Sequence, residues 1–101
     1  MSAYVIANVD VKDPVRYEQY RKMVLPTITK YGGRFLARGG KVDSLEGPWK
    51  PNRLVILEFP SVERAREWWD SPEYAPAKAL RQATSEGSLI VIEGVAVADL
   101  R

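Results

Sequence analysis

Four apolar segments in this chain each carry a polar residue amid apolar neighbours: Asn8 in AYVIANVDV (3–11), Arg38 in GRFLARGG (33–40), Glu58 in RLVILEFP (53–60) and Glu93 in SLIVIEGVAV (88–97). A charge among apolar neighbours is costly unless paired, so Arg38 calls for a carboxylate, and Glu58 is a plausible partner. Two chemistries follow from such a pair. In a pocket, Arg38 would bind an anionic or carbonyl oxygen, with Glu58 orienting it or acting as a base and Asn8 adding a polar contact. In a closed sheet, the same two residues would form a structural ion pair that fixes strand register and touches no ligand.

The missing residue types narrow the chemistry further. With no histidine among 101 residues, histidine acid–base catalysis, an axial histidine for haem and most zinc or non-haem iron sites are excluded. With no cysteine, disulfides, thiolate chemistry and cysteine metal sites are excluded as well. No carboxylate cluster resembles a calcium or magnesium site. The expectation is a protein without metal or cofactor. The stretch YGGRFLARGG (31–40) suggests an anion-binding loop, but helical anion sites place their glycines before a helix, and here the first glycine pair follows one. No nucleotide-binding glycine pattern occurs elsewhere, so the glycines read as punctuation around a strand.

Aromatic residues supply candidate apolar walls. Trp68, Trp69 and Tyr74 lie on or beside the second helical segment, and adjacent tryptophans diverge by about 100° on a helix. One of them must leave the main core, and Trp69 with Tyr74 is the candidate wall. Trp49, in the proline-flanked GPWKP (47–51), has no local packing duty and reads as a lid or a dimer contact.

These residues must be positioned by a small set of elements. AYVIANVDV is a strand with Val5, Ala7, Val9 and Val11 on one face and Tyr4, Ile6, Asn8 and Asp10 on the other. Asp13 and Pro14 then cap and open a helix whose Tyr17, Tyr20, Val24, Ile28 and Tyr31 share a face. Pro26 predicts a kink or restart near Leu25, and Gly32 a left-handed stop. In the second strand Phe35 and Ala37 oppose Arg34, Leu36 and Arg38. A turn-rich connection (41–52), with a short extended piece at 41–45, leads to the third strand at 53–60. Ser61 caps the second helix, which breaks at Asp70-Ser71-Pro72, where Ser71 caps a new start. A last strand covers 88–97.

The resulting order, β-α-β-β-α-β, is the α+β, ferredoxin-like arrangement: one domain over 1–101, a four-stranded antiparallel sheet in the order fourth, first, third, second, and both helices on one side. The other sheet face is left bare and substantially apolar, and a second copy packing sheet to sheet would cover it. The longest apolar runs are too short to span a bilayer, and no basic then hydrophobic leader opens the chain. A cytoplasmic homodimer is therefore expected. The net charge of +2 is dispersed, and the third strand lacks the aromatic signature of RNA-recognition domains, so no nucleic-acid partner is expected.

The blocks DVKDPVRYEQY, YGGRFLARGGKVDSLEG, RLVILEFPS and WWDSPEYAPAKALR together resemble the family catalogued as domain of unknown function 1330, over nearly the whole chain. That family is similar to the dimeric α+β-barrel superfamily, which includes cofactor-independent monooxygenases, lactone isomerases, dye-decolourising peroxidases and stress proteins. The resemblance implies a fold and a dimer rather than a reaction. Two functions follow as expectations. One is a small-molecule binder or cofactor-independent isomerase or monooxygenase-like enzyme using Asn8, Arg38, Glu58, Trp49, Trp69 and Tyr74 around a small organic, carboxylate-bearing ligand. The other is a non-catalytic, stress-related dimer module.

Overall fold

The computed structural model describes residues 1–96. Its elements run β1 (Ala3–Val11), α1 (Pro14–Lys30), β2 (Arg34–Arg38), β3 (Arg53–Phe59), α2 (Val62–Trp69), α3 (Ala75–Thr84) and β4 (Ser85–Glu93). The strands form one antiparallel sheet in the order β2-β3-β1-β4, the expected ferredoxin-like topology.

Alternation along β1 divides the sheet. Ala3, Val5, Ala7 and Val9 are buried, and their cross-strand partners include Leu57 and Phe59 of β3 and Val91 and Leu89 of β4. This face meets Tyr17, Tyr20, Val24 and Ile28 of α1 and Ala65 and Trp68 of α2 in a single core. Trp68 is its centre, stacked on Tyr74 with ring centroids 4.1 Å apart and tilted against Phe59 at 5.4 Å. Its indole N–H donates to Thr27 Oγ1 at 3.1 Å, which removes the cost of burying that polar group.

The other face carries no helix. Tyr4, Ile6, Asn8 and Asp10 of β1 lie there beside Leu54, Ile56 and Glu58 of β3 and Ser88, Ile90 and Ile92 of β4. Ile90 and Ile92 are 57% and 53% exposed in the protomer. The face is uncovered, as the topology requires, and mixes its apolar residues with Asn8, Asp10, Glu58 and Ser88.

Local signals set most boundaries. Asp13 accepts from the Arg16 N–H at 3.2 Å, with Pro14 opening α1. At its far end, Gly32 adopts φ +79° while the Gly32 and Gly33 N–H groups bond back to the Thr29 and Ile28 carbonyls. The restart expected as one outcome at Pro26 does not occur: α1 is one helix of 17 residues. Pro26 and Lys22 both lie on the solvent side, so water can satisfy the Lys22 carbonyl that loses its donor.

The break between α2 and α3 falls where expected. Ser71 Oγ accepts from the Tyr74 N–H at 3.1 Å and donates to the Trp68 carbonyl at 2.8 Å, so it caps a turn, and α3 proper begins at Ala75. β4 starts at Ser85, three residues earlier than the apolar run suggests, because α3 passes into it without a loop. It ends at Glu93, and Val97 lies outside the described residues. Residues 41–45 form no strand.

Among the described residues, no helix is long and apolar enough to cross a membrane. Nor do three or more Asp or Glu side chains gather there as a metal site would require.

Candidate functional site: an arginine-lined cavity

β2 contains an irregularity that decides where Arg38 goes. Arg34 faces Glu58 and Phe35 faces Leu57, but Ala37 then faces Ile56 and Arg38 faces Val55. Leu36 is an extra residue, a β-bulge that shifts the alternation by one. Simple alternation puts Arg38 with Arg34 on one face; the bulge turns Arg38 to the helix side, with Phe35. There its guanidinium stacks 4.2 Å from the Phe35 ring centroid and donates from Nη2 to the Arg21 carbonyl at 2.8 Å.

Three further arginines reach the same place. Arg53 opens β3 opposite Val9, Arg21 projects from α1, and Arg81 projects from α3. With Arg38 they line a cavity of about 30 Å³ between sheet and helices, whose remaining walls include Val5, Val24, Leu57 and Trp68. No carboxylate lines it. Arg21 bonds Glu18 at 3.1 Å along the exposed side of α1, and among the described residues Arg38, Arg53 and Arg81 have no carboxylate partner. The Nε atoms of Arg21 and Arg53 are buried without a hydrogen-bond acceptor. Burial, followed by the charges of Arg21 and Arg53, pulls the Arg38 guanidinium below its ordinary proton affinity. An anion would complement such a set of charges.

Two tyrosine hydroxyls connect this cavity to the core. Tyr20, which lines it, stands 3.2 Å from the Tyr74 hydroxyl, and Arg81 Nε donates to that same oxygen at 3.4 Å. Burial, reinforced by Tyr74, pushes the Tyr20 hydroxyl well above the usual phenol range. Tyr20 therefore keeps its proton and can donate to an oxyanion, but it is a poor base.

The expected pair of Arg38 and Glu58 does not form. Glu58 lies on the uncovered face and holds Arg34, at 2.8 Å from Nε and 2.7 Å from Nη2, and this contact is the main reason its carboxyl stays below the usual range. The register explains the change, since Arg34 and Arg38 occupy opposite ends of the short β2 ladder. Asn8 is likewise on the uncovered face, opposite Leu54 and Ser88, and not in the helix-side cavity. It shares a shallow surface depression with Trp49, Asn52 and Glu86, where Trp49 is 65% exposed. Trp69 is the tryptophan that leaves the core, flanked by Lys78 at 4.5 Å and Arg81 at 5.9 Å from its ring. It borders clefts between the helices and β4 but not the cavity. Tyr74 is fully buried one layer behind the cavity, where it positions Tyr20 and Arg81.

Of the six candidate residues, only Arg38 lines the cavity. Arg21, Arg53 and Arg81 were missed, although each carries a signal. Arg53 keeps the parity of Val55, Leu57 and Phe59, and Arg21 stands at helical spacing between Tyr17 and Val24. Arg81 similarly falls between Ala77 and Thr84. Arginines at core-register positions of three elements mark the site.

No curated protein matches the chain. Among solved structures it is similar to a protein of unknown function from Rhodopseudomonas palustris, with TM-score 0.76 and 22% identity over 94% of this chain and 83% of that one. It is also similar to SnoaB, a cofactor-independent oxygenase from Streptomyces nogalater, with TM-score 0.63 and 11% identity over 95% of both chains. A third likeness is to a dimeric ferredoxin-like protein of unknown function from Jannaschia sp. CCS1, with TM-score 0.62 and 12% identity over 95% of this chain and 100% of that one. At these identities the likeness concerns the fold. Residues 2–95 match the profile of the domain of unknown function DUF1330, and the chain belongs to that family.

Proposed function

We propose that this protein is a cytoplasmic homodimer, paired through its uncovered sheet faces, in which each protomer binds a small organic acid at the arginine-lined cavity. The observation that carries the reading is the gathering of Arg21, Arg38, Arg53 and Arg81 around an apolar space without a lining carboxylate. Structure alone gives little reason to keep such an arrangement, because unpaired guanidinium groups raise the free energy of the folded state. A carboxylate ligand supplies the missing charge, and the apolar walls suit a carbon skeleton. The exposed isoleucines of the uncovered face support the dimer, as does the dimeric state named for the Jannaschia protein.

Cofactor-independent chemistry, such as isomerisation or the oxygenase reaction named for SnoaB, is compatible with this site on one condition. With Glu58 on the other face and Tyr20 held protonated, the substrate must ionise itself, and the arginines and Tyr20 would stabilise the resulting oxyanion. The second reading is a non-catalytic, stress-related dimer module, and the small cavity volume favours it.

Native mass spectrometry of untagged protein tests the proposal. A dimer carrying a reproducible acidic adduct is the expected result. A dimer that stays free of adduct after incubation with millimolar carboxylic acids would favour the module, and a monomer would remove the sheet-to-sheet pairing.

A further inference from the structure

We infer that the ligand of this cavity is a short-chain dicarboxylate, held at both ends; the inference rests on the reading of the cavity as an organic-acid site. The first argument is charge. Of the four guanidinium groups, Glu18 neutralises Arg21 from outside the cavity, which leaves Arg38, Arg53 and Arg81 without a carboxylate among the described residues. A single carboxylate would leave most of that charge uncompensated in a desolvated setting, and a dianion compensates more of it.

The second argument is the distribution of the donors. Arg21, Arg38 and Arg53 form one group: Arg38 bonds the Arg21 carbonyl at 2.8 Å, and Arg21 and Arg53 each keep a buried Nε–H without an acceptor. Arg81 belongs to a second group on the α3 side, tied through the Tyr74 hydroxyl to Tyr20, and only 9% of it is exposed. Apolar side chains, including Val5, Val24 and Leu57, line the space they share. Two donor groups that share an apolar lining suit a chain with an acid group at each end. The third argument is size. The inner space of about 30 Å³ has room for little more than one carboxylate group, so a compact acid fits it better than a long or polycyclic skeleton, with the second carboxylate at the guanidinium-lined margin. Inorganic oxyanions meet the charge requirement but leave the apolar walls uncontacted.

Isothermal titration calorimetry on the intact protein separates the possibilities. Malonate and succinate are compared with propionate and butyrate, their monoacid counterparts, and with sulfate. The better diacid should bind about tenfold or more tightly than its monoacid, the increment expected of an added charge-assisted ion pair. Arg81→Gln should reduce that ratio toward one, because diacid affinity falls further than monoacid affinity. Arg53→Gln, at the other end, should weaken monoacids and diacids alike and provides the test if Arg81→Gln fails to fold. Equal affinity for monoacids and diacids would overturn the two-ended ligand and leave the organic-acid site standing. Sulfate binding as tightly as the diacids would reduce the cavity to a simple anion site. Absence of binding by every acid would overturn both this inference and the reading beneath it.

Discussion

Arg53 shows how the site conflicts with stability. It sits at a core-register position opposite Val9, its buried Nε–H has no acceptor, and its guanidinium lies 5.7 Å from the Tyr17 ring. It also crosses Gly39, where φ is +70° and a Cβ would stand 2.3 Å from Arg53 Nη1. Replacing it with an apolar residue of similar length removes an unpaired polar group from a partly buried place. Arg53→Met should therefore leave the unfolding free energy unchanged or raise it by up to about 1 kcal/mol, while acid binding is lost. Urea denaturation and calorimetry on the same variant check both halves. Glu58→Ala gives the contrasting result. Its partner Arg34 is largely exposed, so no buried cation is stranded, and the thermal midpoint and acid affinity should both stay close to the parent values. A large fall in either would return Glu58 to the site.

At the scale of elements, the end of α1 is fastened to the turn that separates α2 from α3. Glu73 accepts from Lys30 and, at 2.8 Å, from the Tyr31 hydroxyl. These two hydrogen bonds, Lys30 first, hold the Glu73 carboxyl down at about 2, against an ordinary value of 4.5. Because the folded value lies below the unfolded one, the clamp contributes fully above about pH 4.5 and is lost as the pH falls toward about 2. The parent protein should lose more stability than Glu73→Gln across that interval, measured by denaturant titrations at successive pH values.

The same scale shows what the sequence could reveal. Capping residues, glycine stops and two-residue alternation depend on neighbours along the chain, so Asp13, Gly32, Ser71 and the β1 faces could be read directly. Pro26 could not be judged in this way, because its cost depends on which side of α1 meets water. The site was legible only through Arg38, and for an incomplete reason. Alternation in GRFLARGG assigns Arg38 to one face, and nothing in the composition of that segment announces a bulge at Leu36. Pairing Arg38 with Glu58 required the register of β2 against β3, which is set by contacts distant in sequence.

At the scale of the molecule, the sheet separates two environments. One face carries the helices and the arginine cavity; the other carries Ile6, Ile56, Ile90 and Ile92 without a cover. Ile90→Lys places a charge on that outer face at a position already 57% exposed, so the protomer should keep its fold. Sedimentation velocity should then report a monomer, with an unchanged far-ultraviolet spectrum. A dimer surviving this change would place the contact between copies elsewhere.

Leu36 affects both faces through parity alone. Substituting its side chain leaves Phe35 and Arg38 directed as they are, because the count of residues between them and their β3 partners does not change. Deleting it restores the two-residue repeat. With Phe35 held in place, Arg38 would be carried through the sheet from the helix-covered face to the uncovered one. A reading-frame-preserving deletion of one codon should thus abolish the proposed acid binding and plant a positive charge on the uncovered sheet face, while every side chain named in the cavity remained encoded. In β2, spacing decides as much as residue type which side chains reach the cavity.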